Sequence, residues 1–168
     1  MIPLKLAMAV VLLAATGAQA TQPPATQEGA RPKSVIPFLM FQDGRAEEAI
    51  NRYVEVFGDA RIIFMTKYGP DNPAGAKEGS IQHAVFEVYG QRIGVTESPA
   101  KHTFGFTPAV SLFVDFDSKE ELDRVFAALS EGGFVMMPPD NYGFSERFTF
   151  IQDRYGVSWQ LNLPSPTK

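Results

Sequence analysis

The sequence contains no cysteine among its 168 residues. Disulfide bonds, thiolate nucleophiles, zinc ribbons and iron–sulfur clusters are therefore excluded. A chain without thiols is compatible with an oxidising compartment, although it does not demonstrate one. Histidine is scarce as well, with only two residues, so any histidine chemistry rests on His83 or His102.

Clusters of basic residues are also missing. The chain carries 15 Lys and Arg against 19 Asp and Glu, for a formal net charge of −4. Nucleic acids are bound through grouped Lys and Arg side chains, so we expect no nucleic-acid partner. A hydrophobic content of 45% and 14 Phe residues instead predict a folded domain with an ample core.

No uninterrupted apolar stretch reaches the roughly 20 residues that a membrane-spanning helix needs. The N-terminus instead has Lys5, an apolar run over Leu6–Ala15 and the sequence Ala18-Gln19-Ala20. This order is typical of a signal peptide, residues 1–20, that is cleaved after Ala20. We therefore expect a periplasmic or secreted protein with no stable membrane anchor after cleavage. An uncleaved anchor, or a start codon placed upstream of a cytosolic protein, remains the alternative.

Beyond the signal peptide, residues 21–33 are rich in Pro, Gln and Thr and lack an apolar period, which predicts a flexible leader. The folded domain is expected over residues 34–164.

This domain repeats one order of elements: a strand, an Asp, a helix, a Gly, and then three strands. Asp43 is predicted to cap the first helix, and Asp117 and Ser118 to open the second, where Glu121 completes a Ser-x-x-Glu capping box. Gly58 and Gly132 are predicted to end the two helices. The repetition predicts an α+β fold of two βαβββ modules, at about 34–98 and 107–164, that form a curved, mixed, mostly antiparallel eight-stranded sheet. Chance similarity between two βα units is the alternative.

The last predicted strand has one apolar and one polar face. Trp159, Leu161 and Leu163 alternate with Ser158, Gln160 and Asn162. Alternate residues of a strand point to opposite faces, so one face is expected to pack on the core and the other to border a wetter space.

Several segments together resemble a known superfamily. They include Val35-Ile-Pro-Phe-Leu-Met-Phe, Ser80-Ile-Gln-His-Ala, Asp140-Asn-Tyr-Gly-Phe-Ser and Asp153-Arg-Tyr-Gly-Val-Ser-Trp-Gln-Leu. The chain is similar to the vicinal oxygen chelate superfamily of glyoxalase I, bleomycin-resistance proteins and extradiol dioxygenases, and most of all to its PhnB-like branch. The resemblance implies a homodimer, because family members commonly pair their sheets.

The PhnB-like branch carries an inherited methyltransferase label. Common S-adenosylmethionine enzymes place a Gly-rich strand–helix turn in a parallel sheet, and this sequence has no such pattern. Methyl transfer is therefore not predicted.

The resemblance also implies four places for the ligands of a divalent metal. Carried over one by one, they fall at Ile36, Gly94, Val110 and Gln160. Three of these side chains cannot coordinate a cation, and one neutral amide does not hold a metal alone. No cofactor and no metal ligand are therefore predicted. A shifted set that uses His83, Gln42, Glu87 or Glu97 stays open as the alternative.

The leading hypothesis is an exported small-molecule-binding protein without a catalytic metal. Its cleft is expected to be lined by six residues: Phe38, Met40, Gln42, His83, Tyr142 and Gln160. The alternative is an enzyme of the glyoxalase, dioxygenase or isomerase type, with displaced metal ligands or with His83 as a metal-free acid–base catalyst. A structural dimer module is a third possibility. No serine is paired with a histidine in sequence, so Ser111, Ser145 and Ser158 are expected to be structural.

Overall fold

The computed structural model describes residues 33–166, and the chain from Val35 onward forms one compact unit. The predicted signal peptide and nearly all of the predicted leader lie outside the described residues. Two helices and eight strands follow the predicted order. They are β1 (Phe38–Phe41), α1 (Ala46–Val56), β2 (Ala60–Lys67), β3 (Ile81–Val88), β4 (Gln91–Glu97), β5 (Leu112–Asp115), α2 (Lys119–Ser130), β6 (Phe134–Asp140), β7 (Arg147–Gln152) and β8 (Ser158–Leu163).

The predicted fold of two βαβββ modules is confirmed. Each module forms its own four-stranded sheet, with strand orders β1-β4-β3-β2 and β5-β8-β7-β6, so the eight strands are hydrogen-bonded as two sheets of four. The β1–β4 and β5–β8 pairs are parallel and the other pairs are antiparallel. Within the described part of the chain, no helix is long and apolar enough to cross a membrane.

Both helices place their apolar stripe against one shared core. In α1, Ala49, Ile50 and Tyr53 are fully buried, and in α2 the buried residues are Leu122 and Val125. These residues recur at helical spacing, as the sequence predicts. Burial of the two stripes against both sheets makes the modules a single hydrophobic unit.

The two helices begin differently. In α2, the Ser118 side chain accepts a hydrogen bond from the Glu121 backbone N–H, as predicted. In α1, however, the prediction that Asp43 is the cap is wrong. The N-cap position is Arg45, and the buried Glu97 carboxylate from the end of β4 accepts from the backbone N–H groups of Gly44 and Ala46, at 2.8 and 3.1 Å.

The strand–helix connections explain this difference. Residues 42–45 join β1 to α1, whereas the shorter segment 116–118 joins β5 to α2. The extra residue moves Asp43 away from the N-terminus of α1. The backbone N–H groups there donate to the Glu97 carboxylate instead.

The β3–β4 hairpin of the first module reaches the second module. Its two-residue turn, Tyr89-Gly90, has φ values of +46° and +79°. The left-handed conformation is unusual for a tyrosine. The Tyr89 hydroxyl donates to Glu121 on α2 at 2.7 Å, and its ring contacts Phe57 and Phe116.

A buried carboxylate fixes the β7–β8 turn. Asp153 Oδ1 accepts from the backbone N–H groups of Tyr155 and Val157, and Oδ2 accepts from the Tyr53 hydroxyl and the Trp159 indole N–H, at 2.7 and 2.9 Å. Burial raises the pKa of Asp153, and these four donors partly counteract the rise. Burial and the adjacent carboxylate also raise the pKa of Tyr53, so its hydroxyl keeps the proton that it donates.

Asp153→Asn is expected to lower the free energy of unfolding by about 3 kcal/mol, because the new amide N–H groups would face two existing donors. Tyr53→Phe removes only one of the four bonds and should cost about 1.5 kcal/mol. Urea denaturation followed by circular dichroism measures both changes. A loss below about 0.5 kcal/mol for Asp153→Asn would show that the carboxylate does not stabilise the turn.

Candidate functional site

The face of each sheet that points away from the core is called its outer face here. On the first sheet, the outer face carries Phe38 and Met40 from β1 and His83 from β3. The His83 ring lies between two phenylalanines, with its centroid 5.7 Å from that of Phe38 and 4.9 Å from that of Phe64. The structure therefore brings together three of the six predicted site residues.

Gly94 makes the position of Phe38 possible. A Cβ atom placed on Gly94 would lie 2.4 Å from Cδ2 of Phe38, well inside van der Waals contact. The Phe38 ring thus rests directly on the backbone of β4. From the sequence, Gly94 was expected only to be unable to bind a metal, and the structure shows that it leaves room for the ring of Phe38.

The nearest carboxylate on the outer face of the first sheet does not orient His83. Glu87 lies on the same face, as the spacing of four residues predicts, but its carboxylate pairs with the guanidinium groups of Arg61 and Arg92. General-base histidines are usually held by a neighbouring carboxylate or carbonyl group. The ring of His83 is instead positioned by its aromatic neighbours.

On the second sheet, Gln160 points to the outer face, opposite Phe113 in the register of β5 and β8. Its Nε2 donates to Ser111 Oγ at 2.7 Å. Tyr142, in the segment between β6 and β7, donates its hydroxyl to the Pro138 carbonyl, and its ring stacks with Phe144. Gln160 and Tyr142 therefore belong to a different sheet from Phe38, Met40 and His83.

A cavity of about 300 Å³, called the β1–β5 pocket here, lies where the two modules meet. Phe38 borders it from the first sheet, and Ser111, the partner of Gln160, borders it from the second. Its other lining residues are Pro37, Leu39, Gly105, Phe106, Thr107, Val110, Leu112, Val157 and Ser158. Of the six predicted site residues, only Phe38 lines this pocket, and Gln160 is connected to it through its hydrogen bond to Ser111.

A second cavity, of about 230 Å³, contains Met40 and Gln42. Both polar atoms of the Gln42 amide are engaged by the loop between β4 and β5, since Nε2 donates to the Phe104 carbonyl and Oε1 accepts from the His102 N–H, each at 2.7 Å. Gln42 therefore fastens this loop. Tyr155 also borders the cavity, and burial together with its hydrogen bond to Glu48 raises the pKa of Tyr155 to about 12.

The four metal places carried over from the family are shifted in this structure. Ile36 and Val110 precede their strands, whereas Phe38 pairs with Gly94 and Phe113 pairs with Gln160. The places were counted back from Asp43 and Asp117, and the count was too long, because Phe38 lies five residues before Asp43 and Phe113 four residues before Asp117. The corrected set of two phenylalanines, a glycine and an amide does not fit a divalent metal.

Three of the four alternative ligands are engaged elsewhere in the fold. Glu97 accepts the backbone N–H groups that open α1, Glu87 pairs with two arginines, and Gln42 holds the connecting loop. In the described residues 33–166, no three His, Cys, Asp or Glu side chains are grouped closely enough to hold a metal ion.

Two βαβββ modules with a pocket at their junction define a protein of the vicinal oxygen chelate fold. Structures of this class match the chain, among them a glyoxylase/bleomycin resistance protein/dioxygenase domain from Frankia sp., which has a TM-score of 0.56, 15% identity and coverage of 83% of this chain and 96% of that one. Residues 33–162 match the model of one family, described as 3-demethylubiquinone-9 3-methyltransferase. The chain belongs to this family.

Two more similar structures support this assignment. A putative 3-demethylubiquinone-9 3-methyltransferase, PhnB protein, from Bacillus cereus has 42% identity and a TM-score of 0.73, and covers 78% of this chain and 99% of that one. A protein from Pseudomonas aeruginosa has 31% identity and a TM-score of 0.70, with coverage of 80% and 99%. Comparison with curated proteins finds no match.

Sequence reasoning missed one residue at the pocket. Ser158 was expected to be structural, but the residue borders the β1–β5 pocket and is only 2% exposed. No hydrogen-bond partner of its Oγ is found within residues 33–166. The alternation of β8 places Ser158 on the polar face, but sequence alone does not reveal that its hydroxyl is unpaired.

Two buried serines, one with a hydrogen-bond partner and one without, provide a matched test of the assignment of Ser158 as unpaired. Ser145 Oγ lies within hydrogen-bonding distance of the Leu163 carbonyl at 2.7 Å, so Ser145→Ala should lower the free energy of unfolding by about 1.5 kcal/mol. Ser158→Ala removes an unpaired hydroxyl and should leave stability within about 0.5 kcal/mol of the original protein, or raise it. Urea denaturation compares the two variants, and equal losses would contradict the assignment of Ser158 as unpaired.

Proposed function

We propose that this protein binds a small molecule at the junction of its two modules, without a catalytic metal. The observation that carries this proposal is that Phe38 from the first module and Ser111 from the second, which is held by Gln160, border one pocket of about 300 Å³. Small-molecule sites are typically concave and mostly apolar, with a few polar groups that fix the ligand's orientation. The β1–β5 pocket has this composition.

The outer face of the first sheet extends the proposed site. Phe38 forms a wall of the pocket, and on the same sheet its ring contacts His83. Met40 and Gln42 border the neighbouring cavity. A ligand longer than one ring would reach from the pocket across Phe38 toward His83, so the side chain of His83 is proposed to contact it. Tyr142 is proposed as a contact on the second sheet.

The test is a thermal-shift screen of small molecules on protein that has been dialysed against a chelator. Some compounds should raise the unfolding midpoint, because a ligand at 100 times its dissociation constant stabilises the folded state by about 2.7 kcal/mol. Phe38→Ala and Gln160→Ala should abolish this shift. A matched control is Phe134→Ala, since Phe134 is exposed to a similar degree but lies on β6 and lines neither pocket.

Failure of every compound class to stabilise the protein would count against the proposal. A ligand shift that appears only after a divalent metal is added would overturn its metal-free part.

The second candidate is an enzyme that uses His83 as an acid–base catalyst. It is favoured by the exposed position of His83 beside Phe38, and disfavoured by the pairing of Glu87 with two arginines. If the protein is an enzyme of this kind, His83→Ala abolishes turnover of a bound compound while the compound still binds. Under our proposal, His83→Ala changes only the affinity.

Methyl transfer is not part of the proposal, although the family's description names it. The parallel pairs of this structure, β1–β4 and β5–β8, are isolated within mixed sheets. A consecutive parallel sheet with a Gly-rich turn, which common S-adenosylmethionine enzymes use, is not formed by the described strands.

We further propose that the protein acts after export, as a homodimer. Export is supported by the signal-peptide pattern of residues 1–20. Dimerisation is supported by aromatic side chains that are more than half exposed, including Phe38 and Phe113 on the outer faces and Phe144 beside Tyr142. Exposed apolar patches of this kind are typical of protein interfaces.

Native mass spectrometry of protein purified from the periplasmic fraction tests both points at once. We expect a dimer of chains that begin at Thr21, and Phe113→Asp should shift the dimer to monomer because the charge would lie in the apolar interface. Detection of the full-length chain would contradict cleavage after Ala20. A monomer for the unmodified protein would contradict the dimer.

A further inference from the structure

The lining of the β1–β5 pocket is mostly apolar and uncharged. Its apolar walls come from Phe38, Leu39, Phe106 and Leu112, and none of its lining residues carries a charge. Transfer of a charged group into such surroundings is unfavourable unless an opposite charge meets it. The pocket therefore selects against anions and cations and favours a neutral ligand.

Three residues with hydroxyl groups, Thr107, Ser111 and Ser158, interrupt this apolar lining. Ser111 Oγ accepts from Gln160 Nε2, so it keeps its own proton available for a further bond. Ser158 Oγ is buried without a partner from the described chain. Buried polar groups of proteins are nearly always hydrogen-bonded, and one that is not destabilises the fold until a partner is supplied. The pairing of Ser158 is thus left to a bound molecule.

The neighbouring core residues hold Ser158 in place. Val157 and Trp159 on either side are buried, and the backbone of Ser158 pairs with Gln152 of β7 in the register of the hairpin. The backbone position of Ser158 is therefore fixed at the pocket wall. A rigid donor in an apolar pocket gives orientation as well as affinity.

We propose that the β1–β5 pocket binds the ring of a neutral small molecule, and that Ser158 hydrogen-bonds to a carbonyl or comparable oxygen atom on that ring's substituent. A volume of about 300 Å³ is at the lower end of the range for ligand sites, which suits one ring with a short substituent. This inference rests on the proposed small-molecule function and adds to it the class of ligand and the residue that anchors the ligand.

Four probes of nearly equal shape test the inference. Acetophenone carries a neutral carbonyl group, and α-methylstyrene replaces the carbonyl oxygen by a methylene carbon. Benzoate and benzamidine carry a negative and a positive charge. Backbone amide chemical shifts, followed in titrations of the isotope-labelled full chain, should move at Val157, Ser158 and Phe106 with acetophenone, and both charged probes should bind at least about tenfold more weakly.

Variants separate the hydrogen bond from the apolar contact. Ser158→Ala should weaken acetophenone binding about fivefold, as expected for one neutral hydrogen bond, and leave α-methylstyrene within about twofold. Val110→Trp, at the exposed edge of the pocket, should fill it and weaken both neutral probes. The control is Ser98→Ala, because Ser98 lies at the end of β4 outside the pocket lining.

Equal effects of Ser158→Ala on the two neutral probes would overturn the assignment of Ser158. So would unchanged acetophenone binding, which would mean that the hydroxyl pairs with water only. Absence of binding by every probe, or preference for a charged one, would overturn the ligand class. The broader proposal fails separately, when no compound of the thermal-shift screen stabilises the protein through Phe38 and Gln160.

Discussion

The buried carboxylate of Asp153 is the interaction on which the arrangement of this protein depends most. It receives four hydrogen bonds, from two backbone N–H groups of its own turn, from Tyr53 on α1 and from Trp159 on β8. An ionised carboxylate with four donors compensates much of the cost of its burial. Because the partners come from both modules, one side chain fixes the helix of the first module against the closing hairpin of the second. The position of β8, and with it Ser158 and Gln160, follows from this attachment.

The two modules share an order of elements but not the chemistry of their outer faces. The connection from strand to helix is one residue longer in the first module than in the second. In the first module, Phe38 lies on Gly94, whereas in the second Phe113 stands opposite Gln160. The duplicated fold therefore presents an aromatic wall on one side of the module junction and an amide–hydroxyl pair on the other. This asymmetry places Phe38 on one side of the β1–β5 pocket and Ser111, held by Gln160, on the other.

Much of the fold could be predicted from the sequence, because periodicity and turn residues act locally. The order of elements and the stripe of α1 follow from such patterns, and Trp159 and Leu161 are buried as the alternation predicts. The prediction also placed Phe38 and His83 on one face, where the structure has them in contact.

The features that could not be predicted involve residues far apart in the chain. The cap of α1 comes from Glu97, 51 residues beyond the N–H of Ala46 that it accepts. The positions facing Gly94 and Gln160 depend on strand register, which a count back from Asp43 and Asp117 does not determine. Whether the Ser158 hydroxyl has a hydrogen-bond partner depends on the residues that pack around it in the folded chain. Sequence patterns specify which face of a strand a residue lies on, but not which residue of the neighbouring strand is paired with it.

The Tyr89-Gly90 turn affects how the two modules of this chain can unfold. A tyrosine at a φ of +46° is locally unfavourable, and the contacts that compensate for it come partly from the other module, through Glu121 and Phe116. Were the second module to detach, the hairpin tip of the first would lose its compensation and relax or fray. The two halves are thus not independent building blocks with separate melting transitions, and the repeat visible in the sequence corresponds to a single cooperative folding unit.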